Sequence, residues 1–127
     1  MKTYLGIDFG TVHVGLAIAT SPFPEPLEVV SLEDSILRIA SLVKEHHVQT
    51  IVIGISEGNM ALQTRSFAAL LKENVSVPIV FHDETLSSQR AQKAMQHKKK
   101  KDRRGADHHY AAALILQDYL DTLDTSV

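Results

Sequence analysis

One carboxylate inside an apolar, β-forming run constrains this chain most. Residues 5–11 read Leu-Gly-Ile-Asp-Phe-Gly-Thr, and the acid is Asp8. Strands seldom contain aspartate, and a carboxylate is costly to bury unless it is paired or bound to a metal ion. The short Gly10–Thr11 link predicts a tight turn into a second strand. We therefore expect a buried first strand and a functional role for Asp8.

Hydrophobic periodicity predicts an α/β chain in which three strands precede alternating helices and strands. Prolines at 22, 24 and 26 predict a loop over Ser21–Pro26, because proline interrupts strand pairing. Ser31, followed by Asp34, predicts a helix N-cap. The predicted strands are Tyr4–Phe9, Val12–Ala19, Leu27–Val30, Thr50–Gly54 and Ile79–His82; the predicted helices are Glu33–His47, Ala61–Glu73, Thr85 or Ser87 to His97, and Ala106–Leu123.

Three of the four predicted helices have an apolar stripe that we expect to face the sheet. The stripes comprise Ile36, Leu37, Ile39, Ala40 and Val43 on the first helix, Leu62, Phe67, Leu70 and Leu71 on the second, and Leu114, Ile115, Tyr119 and Leu120 on the last.

This order of elements predicts a mixed five-stranded sheet, a three-strand meander followed by αβαβ, with helices on both faces. The first strand is expected at its centre, because both faces of that run are apolar or glycine. The order by itself resembles the ribonuclease H-like core, although other α/β folds fit it too.

Length and composition limit the class of protein. The 127 residues predict one domain, 1–127. The absence of cysteine excludes disulfides and thiolate metal sites, and no apolar run reaches the roughly 20 residues of a membrane span. We therefore expect a cytoplasmic protein without a membrane partner. Residues 98–104 contain six basic residues and one acid, whereas the rest of the chain is acidic, which suggests a local anionic partner.

Two further carboxylates lie at junctions between predicted elements. Glu84 follows the strand that ends at His82, and Asp107 begins the last helix, on one face with Ala111 and Leu114. Nucleases place divalent cations among converging carboxylates, and hard cations such as Mg²⁺ prefer these oxygen ligands. Two alternatives remain open: Asp107 as a helix cap, and Glu84 as part of a turn.

Three stretches of the chain resemble the motifs of the YqgF/RuvX family, relatives of the RuvC Holliday-junction resolvases. The first is Gly6–Thr11 with Gly15–Ala17, and the second is His82–Ser88. The third joins Asp107 to Ala111–Gln117 and Tyr119–Leu120, and Arg65 with Phe67–Ala68 also fits the family.

The resemblance implies a ribonuclease H-like fold and a metal-dependent endonuclease that uses Mg²⁺ or Mn²⁺. It implies catalytic and metal-binding roles for Asp8, Glu84 and Asp107. Its leading implication for function is 5′-end processing of pre-16S rRNA in ribosome biogenesis, on structured RNA. The alternative is Holliday junction resolution on branched DNA. The implied state is a monomer or a homodimer.

The chain departs from the family pattern at several positions. Val12-His13 replaces a usual basic pair, Thr85 replaces an arginine, and Ser87-Ser88 replaces a threonine pair. Residues 54–58 also lack a common leucine-proline. None of these changes removes a carboxylate, but two of them remove positive charge that would bind phosphate.

The basic segment is predicted to hold a nucleic-acid backbone beside the carboxylates. A solvated loop is the alternative. His108 and His109 are interpreted as helix-start residues without chemistry, with contact to metal or phosphate as the other interpretation. The predicted nucleic-acid-binding residues are Thr11, Lys98, Lys99, Lys100, Lys101, Arg103 and Arg104.

Two other functional classes stay open. One is a nucleic-acid-binding module that keeps the fold without catalysis, and the other is a phosphate-transfer enzyme that is not a nuclease. The Asp-x-Gly-Thr turn also resembles that of sugar kinases and actin-like ATPases, but these enclose a nucleotide between two such domains, and 127 residues are too few for that.

Overall fold

A computed structural model describes residues 2–83 and 107–124. Three predictions lie outside these residues: the position of Glu84, the helix expected to end at His97, and the basic segment 98–104. The strands are β1 (Tyr4–Asp8), β2 (His13–Ala19), β3 (Glu25–Ser31), β4 (Thr50–Ile55) and β5 (Ile79–Asp83); the helices are α1 (Leu32–Glu45), α2 (Asn59–Lys72) and α3 (His108–Asp124).

The five strands form one mixed sheet in the order β3-β2-β1-β4-β5. β2 pairs antiparallel with β1 and with β3, whereas β4 pairs parallel with β1 and with β5. The predicted meander, mixed sheet and central first strand are therefore confirmed. Because β1, β4 and β5 run in the same direction, their carboxyl ends lie at one edge of the sheet.

The third strand is longer than predicted. It begins at Glu25, so the last two residues of the predicted loop over Ser21–Pro26 belong to the strand instead. β3 begins at Glu25 and includes Pro26, which lies opposite Ala17. An edge strand tolerates proline, because the missing N–H belongs on its solvent side. The pairing register also shifts between Leu16 and Ala17, which lets the chain accommodate the irregular segment.

The two faces of the sheet are covered by different helices, as predicted. On β1, Leu5 and Ile7 are fully buried in the core that α1 and α2 cover. Tyr4 belongs to the opposite core, which α3 covers. Since side chains alternate along a strand, Gly6 and Asp8 project to the α3 face with Tyr4.

No helix within 2–83 and 107–124 has both the length and the hydrophobicity that crossing a membrane requires.

The start of α1 is confirmed, whereas parts of the predicted apolar stripes are wrong. Ser31 caps α1, its Oγ accepting a hydrogen bond of 3.2 Å from the backbone N–H of Asp34. Leu37, Leu62 and Leu70 are exposed rather than inward-facing. The buried face of α2 is therefore narrower than predicted, because Leu62 and Leu70 lie outside it. Its buried residues are Thr64, Phe67, Ala68 and Leu71.

Candidate metal and phosphate site

Asp8 ends the central strand at the carboxyl edge of the sheet. Its side chain projects to the α3 face and is 14% exposed. The neighbouring parallel strands also end at this edge, with Ile55 paired to Asp83. α/β folds place functional groups at such an edge, where loops leave the sheet.

The structure gives Asp8 a partner that sequence reasoning missed. The Nδ1 atom of His108 lies 2.6 Å from Oδ2 of Asp8. Because an ionised carboxylate only accepts hydrogen bonds, the imidazole N–H donates. His108 is therefore the residue through which α3 reaches the carboxylate of β1, and whether it takes part in chemistry stays a prediction.

Glycines in β1 and β2 make this contact possible. A Cβ atom at Gly15 would overlap the backbone carbonyl group of His108, and one at Gly6 would lie 2.5 Å from Cγ of Leu116 and 2.9 Å from the carbonyl oxygen of Ala112. These three helix residues are four apart and share one face. The glycines are the sequence feature that indicates this face, because glycine within a strand marks a close backbone approach.

The inward face of α3 is confirmed at Ile115 and Leu120, which are buried, and is wrong at two other predicted positions. Ala111 and Leu114, the expected companions of Asp107 on the inward face, are only partly buried. The helix turns His108 rather than Asp107 onto the sheet, because it settles where Gly6 and Gly15 leave room. The buried residues of α3 are Ala112, Ile115, Leu116 and Leu120.

Asp107 nevertheless has a buried oxygen. Its Oδ2 atom has no hydrogen-bond partner among the described residues, and neither has Nδ1 of His109. A buried polar atom without a partner is costly, so its environment favours an additional ligand. Asp107 precedes His108 directly in the sequence, at the end of α3 that approaches Asp8.

Oxygen and imidazole donors of this kind fit a divalent cation. The described ranges, with residues 84–106 outside them, contain no group of three or more acidic, histidine or cysteine residues placed to hold one. Asp8, Asp107 and His108 do not form such a group by themselves, and the metal-binding roles of Asp8 and Asp107 stay a prediction. The predicted third carboxylate, Glu84, follows β5 directly in the sequence.

The turn after Asp8 forms an exposed rim. Thr11 and His13 are solvent-exposed, and Val12 is 65% exposed. The ring of His13 lies 6.5 Å from the ring of His108, centroid to centroid. Gly10 completes the turn, and a Cβ atom there would lie 3.2 Å from Cε1 of His108. The rim thus presents one hydroxyl and one imidazole beside Asp8, and the side chain between them is the valine.

The best-defined ion pair of the described residues stabilises the scaffold at a distance from this site. Arg38 of α1 donates two hydrogen bonds, of 3.0 and 2.8 Å, to the carboxylate of Glu28 on β3. These bonds from Arg38 hold the pKa of Glu28 below its usual value. The pair connects the edge strand to the helix that covers it.

Comparisons with known proteins identify the family of this chain. Residues 2–122 match the RuvX family, which is described as "Holliday junction resolvase". A protein of Sulfurihydrogenibium sp. is 33% identical over 99% of this chain and 94% of its own length. One of Anaeromyxobacter sp. is 35% identical over 93% of this chain and 96% of its own length. Both are named "Putative pre-16S rRNA nuclease".

Solved structures with the same fold include Holliday junction resolvases. The Thermus thermophilus RuvC structure in complex with a Holliday junction substrate aligns with a TM-score of 0.67 at 14% identity, covering 100% of this chain and 98% of that one. The fowlpox virus resolvase aligns with a TM-score of 0.53 at 13% identity, covering 95% and 98%. These likenesses confirm the ribonuclease H-like fold.

Proposed function

The chain belongs to the RuvX family, and on that basis we propose that it is a divalent-metal-dependent endonuclease that hydrolyses phosphodiester bonds in structured nucleic acid. The observation that carries the proposal is the pairing of Asp8 with His108 at the carboxyl edge of the sheet. The buried, unpartnered oxygen of Asp107 supports it, because it lies on the residue next to this pair.

In this proposal Asp8, Glu84 and Asp107 hold Mg²⁺ or Mn²⁺. The bound cation supplies an activated water and neutralises charge on the reacting phosphate. Asp8 does not move to take part, because His108 fixes the orientation of its carboxylate and β1 fixes its backbone. Asp107 stands at the start of α3, where its Oδ2 atom is buried and has no hydrogen-bond partner among the described residues.

The residues that would bind the nucleic-acid backbone lie on either side of this carboxylate group. Thr11 offers a hydroxyl on the exposed rim beside Asp8. The basic residues contribute charge immediately before Asp107 in the sequence, and such contacts position a substrate without reading its bases. They are Lys98, Lys99, Lys100, Lys101, Arg103 and Arg104.

The proposed substrate is the precursor of 16S rRNA, cut at its 5′ end. The names of the relatives at 33% and 35% identity support it. Holliday junction cleavage is the second candidate, supported by the description of the family. The two differ in symmetry: a resolvase cuts two equivalent strands and so requires a twofold dimer, whereas an rRNA-processing enzyme does not. The cytoplasmic location stays a prediction.

Cleavage of a substrate panel tests the proposal. Wild type, Asp8→Asn and the control Asp121→Asn are incubated with rRNA precursor, single strands and four-way junctions, with Mg²⁺, with Mn²⁺ or with a chelator. We expect metal-dependent cleavage by wild type and by Asp121→Asn, and a loss of at least about a hundredfold in Asp8→Asn. Binding without cleavage in every condition would point to the non-catalytic module instead. Equal cleavage by Asp8→Asn would overturn the catalytic assignment.

A further inference from the structure

The contact between His108 and Asp8 brings a nitrogen donor into a site that carboxylates were expected to supply. Nδ1 of His108 and Oδ2 of Asp8 point at each other across 2.6 Å. The histidine is 35% exposed and the aspartate 14%. Both side chains therefore keep some contact with solvent at the edge of the sheet.

The backbone of His108 is held in place on the side away from solvent. Gly15 of β2 packs directly against its carbonyl group, and the ring lies next to the Gly10 turn. A ring anchored in this way loses little conformational entropy when it takes a ligand, and preorganised donors bind metal better than mobile ones.

The spacing of the two donor atoms suits a shared cation. Adjacent ligands in an octahedral shell with bonds of about 2.1 Å are roughly 3 Å apart. The Nδ1–Oδ2 pair at 2.6 Å thus needs a separation of a few tenths of an ångström to admit an ion between the two atoms. In the hydrogen-bonded state Nδ1 carries the proton that it donates to Asp8, so ligation of Nδ1 requires this proton to move to Nε2 or to solvent.

We propose that His108 is a direct nitrogen ligand of the cation at Asp8, and that it biases the site toward Mn²⁺ over Mg²⁺. This inference rests on the proposed function, because it concerns the same metal site. Mg²⁺ prefers carboxylate, carbonyl and water oxygens, whereas imidazole suits the first-row transition ions better. A neutral imidazole ligand also adds no negative charge to the site, whereas a further carboxylate would add one that attracts Mg²⁺.

A different role for His108 is to orient Asp8 by hydrogen bonding alone. Metal-ligating carboxylates commonly accept such bonds from residues that do not touch the metal. Asparagine at position 108 tests that role, because its amide retains an N–H donor without an imidazole nitrogen. Aspartate at the same position replaces the nitrogen ligand with an oxygen ligand. Both side chains are polar and suit a partly exposed position.

The experiment measures Mn²⁺ and Mg²⁺ affinity by calorimetry in full-length wild type, His108→Asp, His108→Asn and the control His46→Asp. His46 caps the end of α1 and does not contact the Asp8–His108 pair. Pulsed electron paramagnetic resonance of the Mn²⁺-loaded proteins detects a directly bound ¹⁴N nucleus. Thermal unfolding verifies that each variant is folded.

We expect ¹⁴N coupling in wild type and in His46→Asp, and its loss in both His108 variants. The ratio of Mn²⁺ to Mg²⁺ affinity should fall about tenfold or more in His108→Asp, and Mn²⁺ affinity should fall about tenfold or more in His108→Asn. Three results would overturn the inference: no ¹⁴N coupling in wild type, coupling that persists in His108→Asp, or wild-type Mn²⁺ affinity in His108→Asn.

Failure of this inference and failure of the proposed function are separable. Cleavage of the substrate panel by a wild-type protein whose Mn²⁺ lacks ¹⁴N coupling would overturn the histidine ligand and leave the nuclease proposal standing. Mn²⁺ binding with ¹⁴N coupling, but no cleavage of any substrate, would retain the ligand and overturn the nuclease.

Discussion

Gly15 of β2 lies directly beneath the backbone carbonyl group of His108 in α3, with no room for a Cβ atom between them. This contact determines how closely the helix approaches the sheet. It also fixes which residue of the helix faces Asp8. The architecture of the fold and the geometry of the candidate site therefore depend on the same small residue.

Gly15→Ala is expected to destabilise the protein by about 2–3 kcal/mol, because the added methyl group meets backbone rather than a movable side chain. Urea denaturation measures the change. Ala69→Gly, the reverse exchange at an exposed position of α2, is the control and should cost about 1 kcal/mol through helix propensity alone. A Gly15→Ala protein as stable as wild type would contradict the close packing of β2 and α3.

Leu116→Ala should cost about 2–5 kcal/mol, because Leu116 is fully buried between α3 and the sheet and its truncation leaves a cavity. The matched control is Leu37→Ala, since Leu37 is 75% exposed and should change the free energy of unfolding by less than about 0.5 kcal/mol. Chemical denaturation of the two variants compares them directly. Similar costs for both would show that the assignment of inward faces is incorrect.

Replacing Lys98–Lys101 by alanine should weaken nucleic-acid binding and lower its salt dependence. Each lost phosphate contact reduces the slope of log affinity against log salt by roughly 0.7–0.9, so four should reduce it by about 3. Fluorescence anisotropy with a labelled RNA at several salt concentrations gives the slope for wild type and for the fourfold alanine variant. The paired substitution Lys44→Ala/Lys72→Ala on α1 and α2 is the control. If that control lowers the slope as much as the fourfold variant does, the basic segment is not the phosphate-binding element.

Glu28→Gln should reduce stability at neutral pH and leave it unchanged in strong acid. The hydrogen bonds from Arg38 lower the pKa of Glu28 in the folded state. A lowered pKa means that the ionised form favours folding above the ordinary carboxyl pKa of about 4.3, and that this stabilisation is lost as the pH falls through the folded-state pKa.

Thermal unfolding of wild type and Glu28→Gln from pH 7 to pH 2 measures this effect. The difference between their midpoints should be largest at pH 7 and should disappear at the acid end. Glu73→Gln is the control, since Glu73 is exposed and has no ion pair within the described residues. A difference that is constant with pH would show that the substitution acts through packing rather than through the charge of Glu28.

The local chemistry of the chain was sufficient to predict most elements. Ser31 was predicted as the cap of α1 because its hydroxyl and the following turn are adjacent in sequence, and the structure contains that bond. The apolar residues and glycine on both faces of β1 likewise indicate a buried central strand from adjacent positions alone. Pro26 shows the limit of such reasoning, because proline ends a strand in the interior of a sheet but not at its edge. Whether a strand lies at the edge depends on the whole sheet.

The candidate site also has features that the sequence predicts and one that depends on the fold. The sequence by itself determined that Asp8 stands in a buried strand and that Asp107 begins the last helix, since both follow from short-range patterns of polarity and helix capping. Only the tertiary structure decided that His108 contacts Asp8. The two residues are 100 positions apart, and their contact depends on the rotation of α3 against β1 and β2. That rotation is set by the space above Gly6 and Gly15, a property of two packed surfaces that no stretch of sequence contains.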